Sequence, residues 1–220
     1  QWSGASLHYR LITGACGGSG NKDIPLNPKQ LTILGTITPI KSTANGANPN
    51  DWKFNITGNT NISNVASGTT AEDLQLNTNN GDAVYTITEV GSSDWILDSV
   101  SGDCTKTSNT TATVTLTKDK PDITCTFVNK INTGHIIVDK VTLPSGSTQS
   151  FNFTTTGTGY NNFSLTDSAT PNDQILNPGT YSVTETALAG WDKTSATCSD
   201  ESPISAISLS AGETVTCTFV

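Results

Sequence analysis

The sequence predicts an all-β protein of two tandem antiparallel β-sandwich domains preceded by an N-terminal extension strand. Three observations carry that expectation. The chain is low in charge (14%) and rich in Thr, Ser, Asn and Gly, a composition that suits short strands and tight turns better than long helices. Its apolar residues alternate with polar ones in short segments bounded by turn signals, such as Asn177-Pro178-Gly179 before Tyr181 and Ala211-Gly212 before Val215. Finally, the chain repeats itself, and 220 residues suffice for two domains that each bury a core.

Four blocks return in the same order. Ile123-Thr124-Cys125-Thr126-Phe127-Val128 recurs as Val215-Thr216-Cys217-Thr218-Phe219-Val220, an offset of 217 − 125 = 92. Tyr85-Thr86-Ile87-Thr88-Glu89 recurs as Tyr181-Ser182-Val183-Thr184-Glu185, an offset of 181 − 85 = 96, and each is followed by a Trp (Trp95, Trp191) and a Cys (Cys104, Cys198). Phe54 to Thr57 is set against Phe151 to Thr154, and Ile33 to Pro39 against Val138 to Pro144. The expected organisation is an N-terminal strand and Gly-rich tether over 1–30, a first repeat over 31–130 and a second over 131–220. The short link from Asn129 to Gly134 predicts a semi-rigid rod of two domains. In the strand Tyr181-Ser182-Val183-Thr184-Glu185, period-two alternation turns Glu185 to the face that carries Tyr181 and Val183. A carboxyl aimed at a core demands a partner, unless it bonds a backbone edge or stays wet at the sandwich rim.

Composition excludes several functions. Eleven basic against nineteen acidic residues give a net charge of −8 with no Lys/Arg cluster to follow a phosphate backbone, so no nucleic-acid partner is expected. The apolar runs are far shorter than the roughly 20 residues that span a bilayer, so no membrane span is expected in this segment. His8 and His135 belong to no catalytic triad or metal-ligand spacing, and no phosphate loop is present, so neither enzyme activity, nor metal, nor cofactor is expected. The absence of Met suggests a processed or internal fragment.

Five cysteines without CxxC pairs or His clusters suit disulfides in an oxidising compartment. The repeated order Trp, Cys, Cys pairs Cys104 with Cys125 and Cys198 with Cys217 within their own repeats. Cys16 is left over in the Gly-rich tether, a candidate for an intermolecular disulfide or a free thiol. Five N-x-[ST] triplets begin at Asn55, Asn61, Asn109, Asn152 and Asn162, acceptors for glycan if the host glycosylates secreted chains. The alternating stretch with Leu7, Tyr9 and Leu11 on one face needs a sheet to join. It folds back on the first domain or complements the sheet of an adjacent subunit as a donor strand.

The residues Ile136 to Lys140, Pro178 to Glu185, Gly190-Trp191 and Thr216 to Val220 resemble the prealbumin-like repeats of prokaryotic surface proteins, relatives of collagen-adhesin B-type stalk domains. The resemblance covers about residues 31–220 and is stronger in the second repeat. It implies a prealbumin-like or Ig-like sandwich arranged in series in a stalk, pilus shaft or spacer. It also implies an internal amide between a lysine and an asparagine, relayed by a buried acid. In the second repeat Lys140 matches the amine and Glu185 the acid, and the asparagine would follow Val220 as Asn129 follows Val128. In the first repeat Glu89 and Asn129 are present, but the block alignment puts Gly35 at the lysine position, and Lys41 or Lys53 would need a shifted register.

The functional expectation is an extracellular structural subunit of a cell-surface filament or adhesin stalk, self-associating, with strand complementation as one mode of assembly. The alternative is a polysaccharide- or matrix-binding module, in which an exposed Trp52 and Asn-rich loops form the site. Trp95 and Trp191, recurring in both repeats, are expected to serve core or hairpin packing.

Overall fold

The computed structural model describes residues 7–12, 21–26, 33–42, 48–77 and 80–220. The chain divides into two units, Gln1–Gly91 with Leu97–Asn129, and Ser92–Ile96 with Lys130–Val220. Each unit holds a sandwich whose strands alternate as the sequence does.

In the first unit the strands are β1 (Leu7–Ile12), β2 (Asn21–Leu26), β3 (Leu34–Ser42), β4 (Lys53–Thr57), β5 (Ile62–Ala66), β6 (Ala71–Gln75), β7 (Ala83–Val90), β8 (Trp95–Gly102), β9 (Thr105–Lys106), β10 (Thr111–Leu116) and β11 (Asp122–Ile131); β8 and β11 run past its limits. One sheet has the order β5-β4-β7-β10-β9, the other β6-β3-β11-β8. Their facing sides close over Ile37, Phe54, Ile56, Leu74, Tyr85, Ile87, Leu97, Leu116 and Phe127, all fully buried. Burying each of the larger of these side chains contributes about 1.5–3 kcal/mol.

The second unit carries β12 (Gly134–Lys140), β13 (Phe151–Thr156), β14 (Phe163–Leu165), β15 (Asn172–Leu176), β16 (Gly179–Glu185), β17 (Ala196–Cys198), β18 (Ile207–Leu209) and β19 (Thr214–Phe219). Its sheets have the orders β15-β12-β19-β17 and β14-β13-β16-β18. Phe153 is the hub of its core, stacked on Phe163 at 5.0 Å and edge-on to Phe219 at 5.1 Å between ring centroids.

One feature of each sandwich departs from antiparallel order. β3 runs parallel to β11, and β12 runs parallel to β19. The first and last strands of each sandwich are therefore neighbours pointing the same way, which requires the whole domain as crossover.

Disulfides join Cys104 to Cys125 and Cys198 to Cys217, closing segments of 21 and 19 residues. The second links residues directly opposite in the β17–β19 ladder.

The N-terminal region differs from a lone strand on a tether. β1 pairs antiparallel with β2, from Leu7 opposite Leu26 to Ile12 opposite Asn21, so the extension is a hairpin. Sequence reading missed β2 because Asn21-Lys22-Asp23-Ile24-Pro25-Leu26 has turn-like composition and a proline, which a two-stranded ribbon tolerates on its outer edge. The side chains of Leu7, Tyr9 and Leu11, and Cys16 altogether, lie outside the described residues.

Candidate functional site

The core-facing residues of β3 are Gly35, Ile37, Pro39 and Lys41, and those of β12 are Gly134, Ile136, Val138 and Lys140. Both strands end their buried face on a lysine. The parallel ladders place Lys41 opposite Phe127 and Lys140 opposite Phe219, so the two lysines are equivalent. The glycines confirm the register: a Cβ on Gly35 would meet the Pro121 carbonyl oxygen at 2.4 Å, and one on Gly134 the Glu213 carbonyl oxygen at 2.7 Å.

This corrects the alignment of Ile33–Pro39 with Val138–Pro144, which put Gly35 at the lysine position. Thr-Pro and Leu-Pro looked alike locally, but the partner strand, not the local motif, sets the register. The signal that finds Lys41 is the period-two pattern G-x-I-x-[PV]-x-K, common to residues 35–41 and 134–140. The facing strands were misaligned by two in the same way. Phe54 pairs with Glu89 and Phe153 with Glu185, so Trp52, two residues before Phe54, corresponds to Phe151.

In the first sandwich Lys41 Nζ lies 2.7 Å from Glu89 Oε1, and both side chains are 1% exposed. Lys41 is the last buried residue of β3, one before its end at Ser42, and Glu89 reaches it from β7 in the facing sheet. Asn129, buried on β11 beside β3, lies next to the same carboxyl. Trp52 closes the site, with Lys41 Nζ 4.0 Å from its ring centroid. Burial lowers the Lys41 amine below its ordinary 10.5, opposed by its hydrogen bond and charge contact with Glu89. Burial likewise raises the Glu89 carboxyl above its ordinary 4.5, opposed by Lys41 and then Asn129. Both shifts run toward the neutral forms, and burial is the larger cause of each. Glu89 Oε2 and both polar atoms of the Asn129 carboxamide lack a well-formed hydrogen bond. Such groups are costly to bury, roughly 1–3 kcal/mol each, which marks the triad as something other than a stabilising network.

The second sandwich repeats part of this arrangement. Lys140 Nζ is 3.2 Å from Glu185 Oε1, with side chains 4% and 7% exposed, and lies 4.6 Å from the Phe151 ring centroid. Glu185 therefore faces the core side with a lysine partner rather than a backbone edge. Its Oε2 is buried without a partner.

Lys53, the other lysine weighed for the first sandwich, alternates to the outer side of β4 with Asn55 and does not join the site. Trp52 is 5% exposed, so a binding platform built on an exposed Trp52 is ruled out. Trp95 is half-buried at the start of β8, and Trp191 packs edge-on against Phe151 at 5.2 Å between centroids. Asn61, Asn109, Asn152 and Asn162 are exposed and Asn55 half-buried; the Asn55, Asn61 and Asn162 side chains accept backbone hydrogen bonds from Asn64, Gly58 and Thr155. Among the described residues no group of His, Cys, Asp and Glu is placed to hold a metal, and no helix is long and apolar enough to cross a membrane.

The family description "Prealbumin-like fold domain" matches residues 27–127 and, in a second form, residues 136–220. The chain belongs to the prealbumin-like fold domains, of which it carries two in tandem. A search of curated proteins found no match. Among solved structures, the Bacillus anthracis TIE protein is similar at 15% identity and a TM-score of 0.47, over 85% of this chain and 34% of that one. The prealbumin-like tandem thus spans about a third of the length of that protein. A C-terminal fragment of the pilus adhesin SpaC from Lactobacillus rhamnosus GG is similar at 14% identity and TM-score 0.37, over 85% of this chain and 97% of that one. The major pilin T-13 of Streptococcus pyogenes gives 15% identity and TM-score 0.30, over 86% and 96% of the two chains.

Proposed function

We infer that this chain is an extracellular structural subunit of a cell-surface filament or adhesin stalk, and that its first prealbumin-like domain welds its own first and last sandwich strands with an amide between Lys41 and Asn129. The observation that carries this reading is the buried Lys41–Glu89–Asn129 triad with its unsatisfied carboxamide. In its neutral form, which burial favours, the Lys41 amine is a nucleophile, and the Asn129 Cγ is an electrophile once its oxygen receives a hydrogen bond from protonated Glu89. The Nζ–Cγ bond forms, the Cγ–Nδ2 bond breaks, and Glu89 carries the proton from the amine to the departing nitrogen. Ammonia leaves and no oxidant is needed. The reaction happens once per molecule, so it is maturation rather than turnover.

The placement suits a load-bearing role. β3 and β11 are the first and last strands of the sandwich and run parallel, so tension along the chain loads their ladder in shear. A covalent tie between residues 129 − 41 = 88 apart in sequence would hold that ladder closed when its hydrogen bonds yield. The Cys104–Cys125 disulfide anchors the same β11. Self-association into a filament, with β1 offering its outer edge to a neighbour and Cys16 near that junction, extends this reading. The expected glycan acceptors would lie on the outer surface of such a filament.

The test is the intact mass of the reduced protein, expected about 17 Da below the sequence mass through loss of one ammonia, with Glu89→Gln returning it to the full value. A wild-type mass equal to the sequence mass rejects the amide. Deleting residues 1–20 tests assembly separately: truncated protein that still forms filaments excludes β1 from the contact.

A further inference from the structure

Each of the four sandwich sheets has two edge strands, and an edge with free N–H and C=O groups is a template for another strand unless something blunts it. Among the described residues, seven of these eight edges are blunted. β5 and β6 lose register against their neighbours, between Phe54 and Ile56 and between Gly35 and Ile37, and each holds a residue in the left-handed region, Asn64 and Asp73 at φ 59°. β9, β14, β17 and β18 are only two or three residues long. β8 is longer, but Leu97 already donates its N–H to the Asn109 carbonyl oxygen at 2.7 Å, and the Lys106 ammonium caps the carbonyl oxygens of Leu97 and Asp98.

β15 is the exception. It keeps unbroken register with β12 over five residues, without proline, lysine or bulge. His135 donates its N–H across to Glu213, so the odd-numbered residues of β12 bond to β19, and Gly134, Ile136 and Val138 bond to Leu176, Gln174 and Asn172 of β15. Alternation then aims the N–H and C=O of Asp173 and Ile175 away from the sheet, and no described residue pairs with them. Ile175 is 65% exposed.

Resting on the filament reading above, we propose that this edge is the acceptor for β1 of a second copy of the chain, so that the β1–β2 hairpin of one subunit extends the sheet β15-β12-β19-β17 of the next. Length, backbone and charge select that occupant. β1 has six residues to set against five, and it pairs with β2 through one edge only. Pro25 has no N–H to give its partner His8, so this pair turns its backbone groups outward, and by alternation so do Arg10 and Ile12 of β1. The outer edge of β2 lacks a donor at Pro25, whereas that of β1 is complete. Leu7–Ile12 holds Arg10, the one arginine of a chain of net charge −8, and no acid, while Asn172–Leu176 holds Asp173 and no base. The alternating Leu7, Tyr9 and Leu11 give β1 an apolar row with which to cover Ile175. Donor and acceptor are different surfaces, so the contact is heterologous and repeats from copy to copy.

The test follows amide exchange and sedimentation of the full chain. On assembly, deuterium uptake at the Asp173 and Ile175 amides should fall, while Gln174 and Leu176, already bonded to β12, stay protected in both states. Ile175→Pro removes an outward N–H that the fold itself does not use, so this variant should keep both disulfides and its circular dichroism and lose assembly. Arg10→Pro should lose assembly from the donor side. Mixed together, the two variants should form one-to-one heterodimers that grow no further, because one keeps the donor and the other the acceptor. Assembly that survives either proline, a mixture of the two folded variants that stays monomeric, or protection of the Asp173 and Ile175 amides already in the dilute monomer overturns the proposal. A wild-type chain that assembles with these amides still exposed sinks this edge alone, whereas one that stays monomeric at every concentration sinks the filament reading with it.

Discussion

Gly91 makes the room in which Trp52 sits: a Cβ on Gly91 would stand 2.4 Å from two ring carbons of Trp52. The same ring lies under Lys41 Nζ. The backbone two residues after Glu89 therefore positions the wall of the site as well as its acid. Gly91→Ala should overpack this corner at a cost of about 1–3 kcal/mol and leave a fraction of molecules at the full, unreacted mass. Urea unfolding and intact mass measured on one preparation check both effects; unchanged values in both would show that the ring has a second place to go.

Trp52 itself should matter as an apolar lid more than as an indole. Phe151 does the corresponding job for Lys140 at 4.6 Å, so Trp52→Phe is expected to keep the amide. Trp52→Ala should cost about 3–5 kcal/mol through the cavity it leaves, and the admitted water should recharge the Lys41–Glu89 pair and slow the reaction. Time-resolved mass of freshly refolded protein distinguishes the two variants.

The unreacted pair should be a pH-dependent liability. Glu89 is raised above 4.5, so relative to the unfolded chain it costs stability as pH rises from below that value through its folded pKa. Lys41 is lowered below 10.5, so it costs stability as pH falls from above that value through its folded pKa. Both costs are present only between 4.5 and 10.5. In an Asn129→Ala background, which cannot form the bond, Lys41→Met with Glu89→Leu should therefore stabilise most near neutral pH, with a smaller gain toward either extreme. Urea midpoints across pH measure this, and a gain independent of pH would contradict the buried neutral pair.

The disulfide of the second sandwich closes 19 residues between strands already paired. Replacing Cys198 and Cys217 by Ala should cost about 3 kcal/mol on the chain-entropy account, seen as a lower unfolding midpoint with unchanged far-ultraviolet circular dichroism.

Local rules were enough for the all-β class and the tandem, because alternation, turn residues and duplicated blocks are written within a few residues of one another. The same alternation turned Glu185 inward, and the repeated Trp, Cys, Cys order pairs the cysteines as the structure does. β2 escaped notice because its pairing with β1 is the only thing that makes so polar and proline-containing a segment a strand.

What only the tertiary structure decided is the first site. Lys41, Glu89 and Asn129 come from β3, β7 and β11, and the one local trace of Lys41, the pattern G-x-I-x-[PV]-x-K shared by residues 35–41 and 134–140, does not say which acid or amide it meets. The choice is made by the parallel ladder that sets Lys41 opposite Phe127, because a shift of one residue would turn every side chain of β3 to the other face and put the lysine in water. Residue pattern determined which positions face inward. Pairing across 88 residues determined which inward lysine meets the acid, since strand register is a property of two strands packed together and not of either alone.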